Sequence, residues 1–381
     1  LPLVGFARCP LLARRVRFVA VALQHRGTAE DSIARGVVLA LLAAVLFGVT
    51  TPIIRRVGGD ADPFSTAMLL YAGAALATLP LPRSGSREAS VGRGHLPRLV
   101  LVALVGGALA PALFAWGLQR TTGMGASLLL NFEAIFTALL AWRLYGEGLG
   151  HRVMAAVALM TAGGVVLGLT GRGASAGGAE GAAWGAVAVI AATLAWALDN
   201  VLTRPLADLD PVQVVRFKGG LGALASLAAF GAFGRAFPRW EHAAALLACG
   251  GAGYGVSLRL YLLAQRRIGA ARTGSMFALA PFVGAAVAWG SGERGPELPT
   301  LAAGALFGLA VYLHLTEHHE HRHTHAPLSH EHGHRHDDGH HGHRHDVETV
   351  GAHSHVHTHD EETHEHAHGP DAHHGHTHRA G

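Results

Sequence analysis

The stretch WGLQRTTGMGASLLLNFEAIFTALLAWRLYGEGLG, residues 116–150, returns in weaker form as AQRRIGAARTGSMFALAPFVGAAVAWGSGE, residues 264–293. Gln119-Arg120 recurs as Gln265-Arg266, Gly123 as Gly269 and Glu147 as Glu293, all at an offset of 146 without a gap. Further out, Asp62-Pro63 recurs as Asp210-Pro211 at an offset of 148. Arg55 and Arg204 close the similar runs VTTPIIR and LDNVLTR. Ordered matches at nearly one offset mark a duplicated unit.

Each unit reads as five apolar segments. The first holds 33–54, 64–82, 97–119, 123–145 and 149–170; the second holds 182–203, 212–234, 241–264, 269–290 and 297–315. Segments of about 20 apolar residues match the hydrocarbon thickness of a bilayer. Hydrocarbon offers the backbone no partners, so such segments are expected to be helices. The composition agrees, with 50% hydrophobic and only 15% charged residues. The chain is therefore predicted to be an all-α membrane protein of ten transmembrane helices, with a different kind of sequence at each end. Residues 1–32 read as a basic cytoplasmic extension or a mis-set start, 33–170 and 182–315 as the two repeats, and 171–181 as a Gly/Ala/Ser linker. Because five is odd, the second repeat enters the membrane from the opposite side, an inverted arrangement common in secondary transporters.

Charge and cysteine content exclude other classes. Residues 316–381 carry twelve acidic against four basic side chains, so the net +4 of the chain conceals a basic body and an acidic tail and does not argue for nucleic-acid binding. Two cysteines, Cys9 and Cys249, give no disulfide framework. No nucleophile–base set or phosphate-cradling loop stands out, so an enzyme is not expected. Arginine placement sets orientation. Arg83, Arg87, Arg93, Arg98, Arg143, Arg152, Arg204, Arg266, Arg267 and Arg272 fall on one side; Arg55, Arg56, Arg120, Arg172, Arg235, Arg239 and Arg294 fall on the other. The bias predicts that the N- and C-termini are both cytoplasmic.

The quoted stretch resembles the signature region of the EamA family of the drug/metabolite transporter superfamily. The marks are Gln119-Arg120 at a helix end, the small-residue run Gly123 to Ser127, Glu133 before the helix middle, and Gly146-Glu147. The second repeat carries Pro281 where that family often has proline, whereas the first has Ala134. The resemblance covers roughly 33–315, one unit per half. It implies a plasma-membrane carrier of small organic solutes, often an exporter, and it does not imply one substrate.

Ionisable side chains at bilayer depth cost about 2.5–3.5 kcal/mol at a helix centre on insertion scales, so they face a cavity or a partner. The candidates for substrate binding are Glu133 with Asn131, Asp199 with Asn200, Arg216, Arg259 and the aromatic Trp116. Trp196 and Tyr254 are further cavity candidates, and Lys218 lies one turn inside its helix. Glu133 is either a proton-coupling or substrate-ammonium group, or a packing residue paired with Arg259 or with backbone. Arg216 and Lys218 also fit residues that snorkel to the interface. Thr50-Thr51-Pro52, Pro111 and Pro281 are candidate helix interruptions, and Glu147 and Glu293 fit helix ends.

The tail, 316–381, holds 24 of the 29 histidines, mostly in His-x-His steps. Candidate metal ligands are His321, His323, His325, His330, His332, His334, His336, His353, His355, His357, His359, His364, His366 and His368. Neutral imidazoles suit Zn, Ni, Co and Cu. The pattern H-E-x-x-H appears at His319–His323, His330–His334 and His364–His368. Zinc-protease chemistry needs that pattern on one rigid helix in a cleft, and alternation alone generates it here. With few apolar side chains to bury, the tail is expected to be disordered without metal. The function expected is export of a small organic metabolite or drug-like solute, with no required cofactor. The partners expected are lipid, solute and possible transition-metal ions. The alternative is a divalent transition-metal (Ni/Co/Zn) transport or tolerance protein.

Overall fold

The computed structural model describes residues 10–80, 91–145, 151–170, 178–206, 209–234, 236–268, 270–293 and 297–316, with four short tail stretches; side chains are described only from Ala34 to Thr316, and not at every position there. Helices make up the body. They are α1 (Pro10–Val57), α2 (Pro63–Thr78), α3 (Leu96–Leu104), α4 (Ala110–Leu118), α5 (Gly123–Leu129), α6 (Phe132–Tyr145) and α7 (His151–Thr170). The second half has α8 (Gly178–Thr203), α9 (Pro211–Phe233), α10 (Trp240–Cys249), α11 (Ser257–Ile268), α12 (Ala270–Phe277), α13 (Ala280–Gly290) and α14 (Glu297–Leu315). The helix α1 begins at Pro10 and so continues back through most of the expected basic extension.

Among the described residues, fourteen helices lie in the ten expected segments because four segments are interrupted, at matching places in the two halves. The third segment passes from α3 to α4 through a π turn, Val105–Leu109, and the eighth from α10 to α11 through another, Gly250–Val256. The fourth breaks between α5 and α6 and the ninth between α12 and α13. The causes of the two breaks differ. Asn131 turns its side-chain amide onto the Leu128 carbonyl at 2.9 Å and so competes with the helix ladder. Pro281, at the start of α13, has no N–H to continue the ladder.

Among the described residues, six helical segments are long and apolar enough to cross a membrane: Ala34–Val57, Arg93–Leu118, Gly123–Leu144, Glu180–Leu206, Val212–Phe233 and Trp240–Ala264. Shorter apolar helices at Pro63–Thr78, His151–Val166, Ala280–Gly290 and Leu298–Leu313 occupy the other positions. Large apolar side chains cover the outside: Leu298, Leu301 and Phe233 are each at least 70% exposed. Trp142, Trp184, Trp240 and Trp289 are exposed near helix ends, where indole rings sit at a membrane interface. Lipid is the solvent that suits such a surface.

Packing between the halves repeats itself with the halves exchanged. The helix α1 packs on α11 and α13, and its counterpart α8 packs on α4 and α6. The helix α2 packs on the Gly250–Val256 turn, and its counterpart α9 packs on the Val105–Leu109 turn. The self-paired contacts α2 with α9 and α7 with α14 lie where a two-fold axis would put them. Small residues allow this closeness: Gly73 abuts the Leu247 carbonyl, and Gly250 abuts that of Leu70.

The two ends of the bundle can be told apart. After α1, the carbonyls of Gly58 and Ala61 accept hydrogen bonds from Gln119 Nε2, beyond the far end of α4, at 2.9 and 2.6 Å. Beyond α8, Leu206 and Leu209 cluster with Leu99, near the start of α3. One continuous segment joins Leu99 to Gln119. The end of α1 and the end of α8 therefore lie at opposite ends of the bundle, here called the Arg55 end and the Thr78 end.

In the tail, backbone pairing is antiparallel between β1 (His319–His325) and β4 (Glu362–His368), and between β2 (Leu328–His334) and β3 (His353–His359).

Candidate functional site

The polar centre lies where the helix interruptions meet. In the third segment the Ala110 N–H bonds the Val105 carbonyl five residues back, which deprives the Gly106 carbonyl of its usual helical donor. Two buried side chains replace that donor. Tyr71 Oη of α2 donates to Gly106 O at 2.5 Å and Trp196 Nε1 of α8 donates to it at 3.1 Å. Tyr254, in the matching π turn, packs its ring 5.7 Å from Tyr71 and 6.4 Å from Trp196. An aromatic wall with one shared carbonyl thus spans both halves.

Charged groups lie beside it. Asp199, one turn beyond Trp196 on α8 and 2% exposed, accepts a close hydrogen bond from Lys218 Nζ of α9. Thr203 Oγ1 reaches the other Asp199 oxygen at 3.5 Å. A Cβ on Gly106 would overlap the Asp199 carboxylate, so glycine is what lets the acid sit against the backbone. Next on α8, Asn200 Nδ2 donates to Glu133 Oε1 at 2.9 Å. Glu133 stands in the first turn of α6, just past the break at Asn131. Asp199 is thus paired with the Lys218 ammonium and Glu133 with the neighbouring Asn200 amide, on helices of both halves.

The structure sorts the expected site residues. Glu133, Asp199 and Asn200 come together, and Asn131 shapes the break that presents Glu133. The pairing of Glu133 with Arg259 is not the one made; the described partner is Asn200, and Arg259 lies half-buried on α11. Arg216 is directed elsewhere: its Nη2 donates to the Thr78 carbonyl at 2.6 Å and closes the end of α2. Trp116 lies under the Arg120 guanidinium, 3.8 Å from ring centroid to Cζ, while Arg120 Nη1 bonds the Trp116 carbonyl at 3.0 Å. That is a helix-end arrangement at the Arg55 end. Tyr71 and Gly106 were not among the sequence candidates, and the partnership of Lys218 with Asp199 was not foreseen. Lys218 carried one signal: it is the only lysine in a chain that otherwise uses arginine.

In the tail, register places His319, His321 and His323 opposite His368, His366 and His364. It places His330, His332 and His334 opposite His357, His355 and His353. His325 and His359 lie in the same strands, and His336 lies outside the described residues. The three H-E-x-x-H matches all fall on extended strands, where the helical spacing needed for zinc-protease chemistry is lost.

Comparison with known proteins gives three findings. The model of the EamA-like transporter family matches the chain twice, over residues 34–169 and 183–316. An uncharacterized transporter from Methanothermobacter thermautotrophicus is 32% identical over 210 residues, 54% of this chain and 61% of that protein. The match thus spans less than two thirds of the relative's length. One solved structure, described only as the crystal structure of a protein, superposes with a TM-score of 0.53 at 19% identity, covering 73% of this chain and 94% of that one. At that identity the likeness concerns the fold alone.

Proposed function

The chain belongs to the EamA-like transporter family, and we propose that it exports a small organic metabolite or drug-like solute across the plasma membrane by alternating access. In this reading all ten apolar segments cross the bilayer as two inverted five-helix halves, with both termini cytoplasmic. The observation that carries it is the cluster of Glu133, Asn200, Asp199 and Lys218 at the helix interruptions, drawn from both halves. Discontinuous helices with polar groups between repeats are where transporters of this kind bind their cargo. The cluster has one carboxyl more than it has cations. That excess is met by a proton or by the ammonium of a solute, which makes Glu133 the coupling or solute-binding group. Tyr71, Trp196 and Tyr254 offer ring faces to the apolar part of the cargo.

The test is flux in reconstituted vesicles screened against amino acids, amines and drugs. Glu133→Gln is expected to abolish solute-driven counterflow while the protein still elutes as a folded species. Wild-type vesicles that move none of these solutes would remove the carrier reading.

The histidine tail supports a second component, binding of Zn, Ni, Co or Cu at the cytoplasmic face, because opposed rows of imidazole suit such ions. It also keeps open the alternative of a divalent-metal transport or tolerance protein. Cells expressing the chain and a version ending at Thr316 separate the two. Metal tolerance lost with the tail while organic export persists means buffering. Metal flux that needs Glu133 means metal transport.

A further inference from the structure

The sequence aligns Glu147 with Glu293 and Gly123 with Gly269 and suggests helix ends. In the structure Glu293 does something else. It leaves its own half and completes the first turn of α5 in the other half. Gly123 N–H donates to Glu293 Oε2 at 2.6 Å and Met124 N–H to the same oxygen at 3.4 Å. The next amide, Gly125 N–H, is taken at 3.0 Å by Thr122 Oγ1 from within the first half. Arg55, at the end of α1, lies 3.7 Å from Glu293 Oε1 as a charge neighbour. A Cβ on Gly123 would lie 3.0 Å from Oε1 and 3.1 Å from Oε2, so glycine at that position gives the carboxylate its room. An anion at a helix N-terminus is favoured by both the open N–H groups and the helix dipole.

This contact joins α1 and α5 of the first half to the end of α13 of the second, all at the Arg55 end. The charged cluster lies toward the other end. Asp199 is four residues from the end of α8, about 6 Å along the axis at 1.5 Å per residue. Glu133 is ten residues past Gly123, about 15 Å of helix. Asn200, which holds Glu133, is exposed, whereas residues 123–132 are buried at every position. Side-chain burial is thus greater on the Arg55 side of the cluster than at Asn200 on its Thr78 side.

Resting on the carrier reading above, we infer that Glu293 is the closing residue of the Arg55 end: its bonds to Gly123 and Met124, with Arg55 beside it, hold the cargo path shut on that side and part when the site turns to face it. The contact is suited to the task. It is a carboxylate just past α13, bound to two amides and a cation by non-covalent contacts alone, and it breaks in a rigid-body shift that also parts α13 from α1 and α5.

The test is access to the site from each face. In a chain with Cys9 and Cys249 replaced by alanine, Asn200→Cys provides a reporter, and a membrane-impermeant maleimide is applied from either side of sided vesicles. With Glu293 intact, labelling from the Thr78 side is expected to exceed that from the Arg55 side at least ~10-fold, a bias of the size a two-state preference gives. Glu293→Gln is expected to raise the Arg55-side rate by about tenfold, and Glu293→Asp to keep most of the closure. Melting in detergent checks that both fold. Unchanged Arg55-side labelling in folded Glu293→Gln makes the contact a permanent brace and overturns the inference alone. A reporter silent from both faces overturns it together with the carrier reading.

Discussion

At the scale of single residues, Lys218 shows how composition and position combine. Arginine supplies every other fixed cation of the side chains, whereas Lys218 sets its ammonium on one oxygen of Asp199 between α8 and α9. An ammonium is a compact point charge that fits one carboxylate. Removing one partner of a buried pair leaves a charge without compensation, at a cost of about 3–5 kcal/mol, more than the pair itself contributes. Lys218→Met is therefore expected to lower the melting temperature sharply in detergent, and the double change with Asp199→Asn to recover a good part of the loss. Equal melting of the two variants would mean that Asp199 does not depend on Lys218. Gly106→Ala acts on the same pair from the backbone side. The added methyl must displace the carboxylate, and overpacking of this kind costs about 1–3 kcal/mol. Solute flux is expected to fall in both single variants, since each moves Asp199 and hence the neighbouring Asn200–Glu133 bond.

At the scale of elements, much of the layout was legible because lipid writes it in apolar runs. The apolar helices, the doubling and the acidic residue in the fourth segment all follow from composition and offset. Pro111 and Pro281 both mark real interruptions: each sits at the start of the helix that follows one. Thr50-Thr51-Pro52 does not, because α1 runs through it and Thr50 returns its hydroxyl to the Phe47 carbonyl at 2.6 Å. The π turns were not legible, since a five-residue hydrogen-bond step in Val-Gly-Gly-Ala-Leu leaves no mark on hydropathy. With them went the Gly106 carbonyl and its donor Tyr71. Tyr71→Phe removes one of two donors to that carbonyl and leaves Trp196 in place. The expected loss is about 1 kcal/mol, read as a small drop in melting temperature; a loss as large as that of Lys218→Met would mean that Tyr71 bears on more than this carbonyl. The tail allows a sharper test. Exchanging each histidine of β3 and β4 with its following neighbour keeps composition and moves the imidazoles out of opposition. Zinc affinity of the full chain, measured by competition with a chelator, is expected to fall if opposed histidines hold the ion and to stay level if a structureless histidine run suffices.

At the scale of the whole molecule, the exchange symmetry of the packing is the feature that most constrains function. Two halves that present the same contacts to one another with reversed direction can trade roles, and a path open at one end in this arrangement is open at the other when they do. The reversal has a direct consequence for the loops. Asp60 follows α1 and Pro205 follows α8, so the two stand at equivalent places in their repeats, and both are exposed. In repeats that run the same way they would share a face. In reversed repeats they do not, whereas Asp60 and Arg239 share one because the Asp62 N–H bonds the Ala236 carbonyl at 3.2 Å. Single cysteines at 60, 205 and 239, in the chain without Cys9 and Cys249, are therefore expected to react with an impermeant maleimide from opposite faces for 60 and 205, and from one face for 60 and 239. Labelling of 60 and 205 from a single face would break the reversal. With it would go the placement of the charged cluster nearer one end than the other, on which the assignment of Glu293 as a closing residue depends.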